Sequence, residues 1–130
     1  MAQKTQSPPR LGFFKITVAD AEKSQRFYEE AFGMVLEDKV VEPTFSEHML
    51  KTPDKAFTLV LLQRNSDEPI SNGNGYGPIG FFIDDLESAA KVAVAAGAKV
   101  VRGPETFGTI SFAFLASPDG HIIELIDRPV

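Results

Sequence analysis

Phe13-Phe14-Lys15-Ile16-Thr17-Val18 lines up with Pro78-Ile79-Gly80-Phe81-Phe82-Ile83 when the sequence is laid over itself at a shift of 65 (78 minus 13), half of its 130 residues. The match extends outward at the same shift. Asp20-Ala21-Glu22 meets Asp85-Leu86-Glu87, Thr52-Pro53-Asp54 meets Ser117-Pro118-Asp119, and Thr58-Leu59-Val60-Leu61 meets Ile123-Glu124-Leu125-Ile126. A repeat of this length predicts two copies of one supersecondary unit, with a ligand site where they meet.

Both copies carry the same punctuation. A strand rich in aromatic and branched residues (Leu11 to Val18; Ile79 to Ile83) is followed by an Asp that caps a helix, Asp20 or Asp85. Phe27, Tyr28, Ala31 and Phe32 recur at helical spacing, and Gly33 and Gly97 stand where helices stop. Three more strands follow each helix, near Val35–Val41, Thr44–Lys51 and Ala56–Gln63, then Lys99–Arg102, Thr109–Ala116 and Ile122–Asp127. The predicted order is βαβββ twice, an α+β domain whose curved mixed sheet surrounds a cavity. Module 1 covers about 11–64, a Gly- and Asn-rich linker 65–77 (Asn72-Gly73-Asn74-Gly75), and module 2 about 78–128, after a disordered lead over 1–10.

Composition bounds the function. There are 13 Lys and Arg against 18 Asp and Glu, a formal charge of −5, which disfavours a nucleic-acid partner. No cysteine is present, so thiolate nucleophiles and thiolate metal sites are excluded. No apolar run approaches the ~20 residues that span a bilayer, and the first ten residues have no secretory core, so a cytoplasmic location and no membrane partner are expected.

Strand alternation sorts side chains into faces. Phe14, Ile16, Val18 and Ile79, Phe81, Ile83 face the helices, leaving Phe13, Lys15, Thr17 and Pro78, Gly80, Phe82 on the ligand side. Ser117-Pro118-Asp119-Gly120 predicts a type I turn closed by a left-handed glycine, which sets Phe114 opposite Glu124 and Phe112 opposite Ile126. Glu124 then shares the inner face with Phe112, Phe114, Ile122 and Ile126. Carried to the first copy, the register places Glu47, Met49, Phe57, Leu59 and Leu61 inside and sends Thr58 and Val60 to the helix, although Lys55 replaces the turn glycine. Lys15, Glu47 and Glu124 are the charged members of this apolar wall, so a Lys15–Glu47 or Lys15–Glu124 pair is expected. His48 falls on the outward parity and His121 beside a turn, and both read as solvated or edge histidines.

Val18-x-Asp20, Phe27-Tyr28, Phe32-Gly33 and Pro118-Asp119-Gly120-His121-x-x-Glu124-Leu125 together resemble the vicinal oxygen chelate superfamily, which includes glyoxalase I, bleomycin-resistance proteins and extradiol dioxygenases. The resemblance spans Leu11 to Asp127. It implies paired βαβββ modules, usually in dimers, with four metal ligands in metal-dependent members: one on each module's first strand and one on each last strand. Carried over, these places are Phe13, Leu59, Pro78 and Glu124, of which only Glu124 is able to bind a metal.

Other constellations point nowhere stronger. Gly73-x-Gly75-x-Gly77 lacks the strand and helix of a phosphate loop, no serine sits in a nucleophile turn, and Asp84-Asp85 reads as a helix cap. A displaced metal site of His48 with Glu124 is the weaker alternative to solvated histidines. The expectation is a protein without cofactor, a divalent metal being the alternative. It binds a small apolar or aromatic molecule between the modules, as a homodimer, for resistance or sequestration. The alternative is a glyoxalase-like lyase, isomerase or transferase with altered metal ligation or metal-free acid–base chemistry by Lys15, Glu47 and Glu124. The expected cavity residues are Phe13, Lys15, Thr17, Met49, Leu59, Phe82, Phe112, Phe114 and Glu124.

Overall fold

The computed structural model describes residues 7–127. Of the expected lead over 1–10, residues 1–6 lie outside the described residues, and 7–12 are exposed and irregular; residue 128, the expected end of module 2, also lies outside them. Module 1 consists of β1 (Phe13–Thr17), α1 (Ala21–Phe32), β2 (Val35–Val41), β3 (Phe45–Lys51) and β4 (Thr58–Arg64). Module 2 consists of β5 (Ile79–Phe82), α2 (Leu86–Ala95), β6 (Lys99–Phe107), β7 (Ile110–Ala116) and β8 (Ile122–Asp127). The strand orders are β1-β4-β3-β2 and β5-β8-β7-β6, so the predicted order and the repeat both hold. In each sheet the first strand runs parallel to the last, and the other pairings are antiparallel. No helix among the described residues is long and apolar enough to cross a membrane.

The local signals act as read. Asp20 and Asp85 accept the Lys23 and Ser88 backbone N–H groups at 3.1 Å, each satisfying one orphan donor of a helix start. Gly33 ends α1 in the left-handed conformation, φ 67°. Each helix covers one face of its own sheet, and the two helices touch. Ile16, Val18, Leu50, Leu59 and Leu61 meet Leu115, Ile123 and Leu125 in a single buried cluster. Phe32 of α1 stacks on Phe81 of β5, with centroids 4.0 Å apart, which joins the modules through the core.

A polar clamp supplements that packing. Asp119, in the β7–β8 turn of module 2, accepts the Ala19 N–H (3.1 Å) and the Ser24 hydroxyl (2.9 Å) at the start of α1. Its repeat partner Asp54 bonds only locally, to the Thr52 hydroxyl (2.6 Å) and the Ala56 N–H (3.0 Å).

One expected register is overturned. The β7–β8 loop closes as predicted, with Gly120 at φ 87° and a Ser117 N–H to His121 carbonyl bond. The β3–β4 loop closes from Thr52 to Phe57, one residue further along, although Lys55 adopts the left-handed conformation in the glycine's place (φ 61°). Glu47 therefore pairs with Leu62 and Met49 with Val60. Because side chains alternate, a slip of one residue exchanges the faces of the whole strand. Leu59 and Leu61 point to the helix and into the core, whereas Thr58, Val60 and Leu62 share the helix-free face with Phe13, Lys15 and Thr17.

Candidate functional site

Two helix-free sheet faces carry the candidate residues. On the first, Phe13, Lys15 and Thr17 of β1 lie beside Val60 and Leu62 of β4 and Glu47 and Met49 of β3. On the second, Gly80 and Phe82 of β5 lie beside Glu124 and Ile126 of β8 and Phe112 and Phe114 of β7. Every expected cavity residue except Leu59 stands on one of these faces. Phe13 and Phe82 are 57% and 65% exposed, so the faces are open in the single chain.

The Lys15 ammonium lies 2.5 Å from a Glu47 carboxylate oxygen, one of the two pairings expected. The carboxylate is nearly buried and the lysine less so, with the ammonium 5.8 Å from the Phe13 ring centroid. Alternation explains the meeting: Lys15 pairs with Val60, Val60 with Met49, and Glu47 lies two residues along the same face from Met49. A hollow of about 690 Å³ opens there, bounded by Lys15, Glu47, Leu62, Arg64 and Glu68. Phe112 and Phe114 meet edge to face at 5.7 Å on the second face, and the Arg102 guanidinium lies 5.9 Å from the Phe112 ring while chelated by Glu105.

The two first strands also border a cavity of about 390 Å³, lined by Phe13, Phe14, Phe57, Tyr76, Pro78 and Gly80 among others. That is within the ~300–1,000 Å³ typical of small-molecule sites. The buried edge of Leu59 reaches it from the core side. Tyr76, from the linker, packs its ring edge to face against Phe14 at 5.8 Å.

The histidines stand elsewhere. His48 is not solvated: it is 4% exposed beneath α1, its Nδ1 2.7 Å from the Gln25 side-chain oxygen. Burial, then the neighbouring Lys39, lowers its pKa, while Glu22 and Asp20 oppose the shift. His121 packs by the turn with Nδ1 3.4 Å from the Ser117 hydroxyl, and burial lowers its pKa too. His48 and Glu124 belong to different sheets and His48 faces the helix, so they form no common site. Asp85 serves as the α2 cap.

The corrected register also moves one place assigned by resemblance. Lys15 and Gly80 are repeat partners; Lys15 pairs with Val60 and Gly80 with Glu124. Val60, not Leu59, is thus the structural counterpart of Glu124, and the four places become Phe13, Val60, Pro78 and Glu124. The signal was legible in the loop lengths. It was masked in β4 itself, because Leu59-Val60-Leu61-Leu62 is apolar on both faces. Phenyl, isopropyl and pyrrolidine groups have no lone pair to give a cation, and three or four protein donors are needed to hold one. These residues do not fit a divalent metal. Among the described residues, no three His, Cys, Asp or Glu side chains are grouped to hold one elsewhere.

With this geometry in place, the likeness to known proteins is specific. Residues 10–125 match the Glyoxalase/Bleomycin resistance protein/Dioxygenase superfamily, and the chain belongs to it. It is 35% identical over 125 residues to a lactoylglutathione lyase of Neisseria meningitidis, covering 92% of this chain and 91% of that one. A probable lactoylglutathione lyase of Vibrio parahaemolyticus is 32% identical over 119 residues, covering 87% and 86%. Among solved structures, a glyoxalase I mutant from Zea mays superposes with TM-score 0.82 at 29% identity, covering 95% of this chain and 48% of that one. A glyoxalase family protein from Bacillus cereus shares the fold with TM-score 0.81, 19% identity and coverage of 97% and 98%.

Proposed function

We propose that this chain is a glyoxalase-like lyase or isomerase that acts on a small molecule without the divalent metal, through the Lys15–Glu47 pair. The observation that carries the reading is that pair, a carboxylate and an ammonium 2.5 Å apart on a face where both family ligand places, Phe13 and Val60, are apolar. The relatives named lactoylglutathione lyase support an enzyme over a sequestering protein. In such a reaction Glu47 takes a proton from the carbon beside a carbonyl, and the electron pair moves onto the carbonyl oxygen. The carbon that loses the proton bears a hydroxyl. Lys15 holds the new oxyanion, that hydroxyl's proton passes to it, and Glu47 returns its own proton to the former carbonyl carbon, so a hydroxycarbonyl becomes its isomer with atoms and charge balanced. A second copy of the chain closes the open faces, so the working unit is a homodimer in the cytoplasm.

A second reading is binding without turnover. The aromatic lining from Phe13, Phe112 and Phe114 favours it, and it uses the same faces. The two separate by turnover of a panel of small carbonyl compounds, lactoylglutathione included, by metal-stripped protein. The enzyme reading predicts that Lys15→Met lowers kcat by about 100-fold or more, as expected for loss of an acid–base or oxyanion group, in protein that stays folded by circular dichroism although the nearly buried Glu47 carboxylate has lost its partner. If Lys15→Met alters only stability, the lysine is structural; if no compound in the panel is turned over, the binding reading stands.

A further inference from the structure

We infer that Glu124 recognises a positively charged group on the ligand, making the preferred ligand an organic cation with an apolar or aromatic body. The inference rests on the small-molecule site proposed above and names its chemistry. The repeat supplies the argument. In module 1, position 15 carries a cation and its cross-strand partner Val60 carries none; in module 2, Gly80 stands in the lysine's place and its partner is Glu124. The counterpart of Glu47 in module 2 is Phe112, so Glu124 is an acid with no equivalent in module 1, standing across from a position that carries no side chain.

The other charges are already compensated. Lys15 is held by Glu47, and Arg102 is chelated by Glu105. The Glu124 carboxylate makes no hydrogen bond or ion pair with any described residue, and it is half-buried between Gly80 and Phe114. A half-buried charge on an apolar wall needs a counter-charge. Space for one lies beside it, since a side-chain carbon built on Gly80 would meet no atom within 4 Å. Phe114 flanks Glu124 on its other side, with Phe112 in edge-to-face contact, and aromatic faces attract cations. An ammonium or amidinium would thus fill the place that Lys15 fills in the other module.

Titration calorimetry with three matched probes tests this: 2-phenylethylammonium, neutral 2-phenylethanol and anionic phenylacetate. The expected result is binding of the cation about tenfold or more tightly than the alcohol, and of the anion weakest. In Glu124→Gln the cation's advantage falls to near unity while the alcohol's affinity is kept; that retained affinity reports an intact fold. Equal binding of cation and alcohol by the native chain overturns the inference and leaves the small-molecule site standing. No binding by any probe overturns both. Unchanged selectivity in Glu124→Gln, with a weakened dimer in sedimentation, assigns the counter-charge to the second copy and also overturns it.

Discussion

Leu61→Gln and Leu62→Gln are the same chemical change at adjacent positions, and the one-residue slip in β4 predicts different outcomes. Leu61 is fully buried, paired with Ile16 and His48 beneath α1. Removing it loses about 2–3 kcal/mol of apolar burial, and burying an amide without partners adds about 1–3 kcal/mol, so about 4 kcal/mol is at stake. Leu62 lies half-buried on the helix-free face beside the hollow with Lys15 and Arg64, where an amide reaches water. Its loss is about 1 kcal/mol, since only part of the side chain leaves an apolar contact. With a urea slope of about 2 kcal/mol per molar for a domain of this size, the midpoints of the two variants should differ by about 1.5 M. Equilibrium urea unfolding followed by circular dichroism reads this directly. Equal midpoints, or a larger loss for Leu62→Gln, would refute the register and with it the assignment of Val60 as the module 1 counterpart of Glu124.

Asp119→Ala removes the clamp from the β7–β8 turn to α1 and strands the buried Ser24 hydroxyl. It should cost about 2–3 kcal/mol and lower the melting temperature by about 10 °C, whereas Asp54→Ala, with exposed local bonds, should change it far less. The lowered pKa values of His48 and His121 mean that the folded chain holds both neutral while the unfolded chain protonates near 6.5. Their contribution is complete above that pH and lost as pH falls through the lower folded values, so urea midpoints should drop between about pH 7.5 and 5. His48→Gln/His121→Gln should flatten that drop. Asp54 is also shifted downward, by the Thr52 hydroxyl first and the Ala56 N–H second, so its turn loses support only as pH falls through that lowered value.

What the sequence revealed followed from local signals. Asp20, Asp85 and Gly33 mark helix ends through bonds within a few residues, and Gly120 with Glu124 sets one hairpin because a charged side chain interrupts an apolar strand. The first hairpin differs from its expected register because Ala56 lengthens its loop, and the apolar run Leu59-Val60-Leu61-Leu62 of β4 carries no polar residue to report its face. Alternation told which way His48 points, but not that α1 and Gln25 cover it. The Asp119 clamp joins residues 95 and 100 apart, a contact that no local spacing reveals. Of the candidate site, the Lys15–Glu47 pair was legible as one of two options, and the structure chose between them through the β3–β4 register.

Metal content tests whether this superfamily member works without a metal, through the charged pair on its apolar wall. Protein purified without chelator, after overnight equilibration with Ni, Zn and Mn salts and desalting, is assayed by elemental analysis alongside calorimetric titration of each ion. The expected result is no stoichiometric metal and no saturable heat, with Glu124→Gln indistinguishable from the native chain. One tightly held ion per chain, lost in Glu124→Gln, would contradict it.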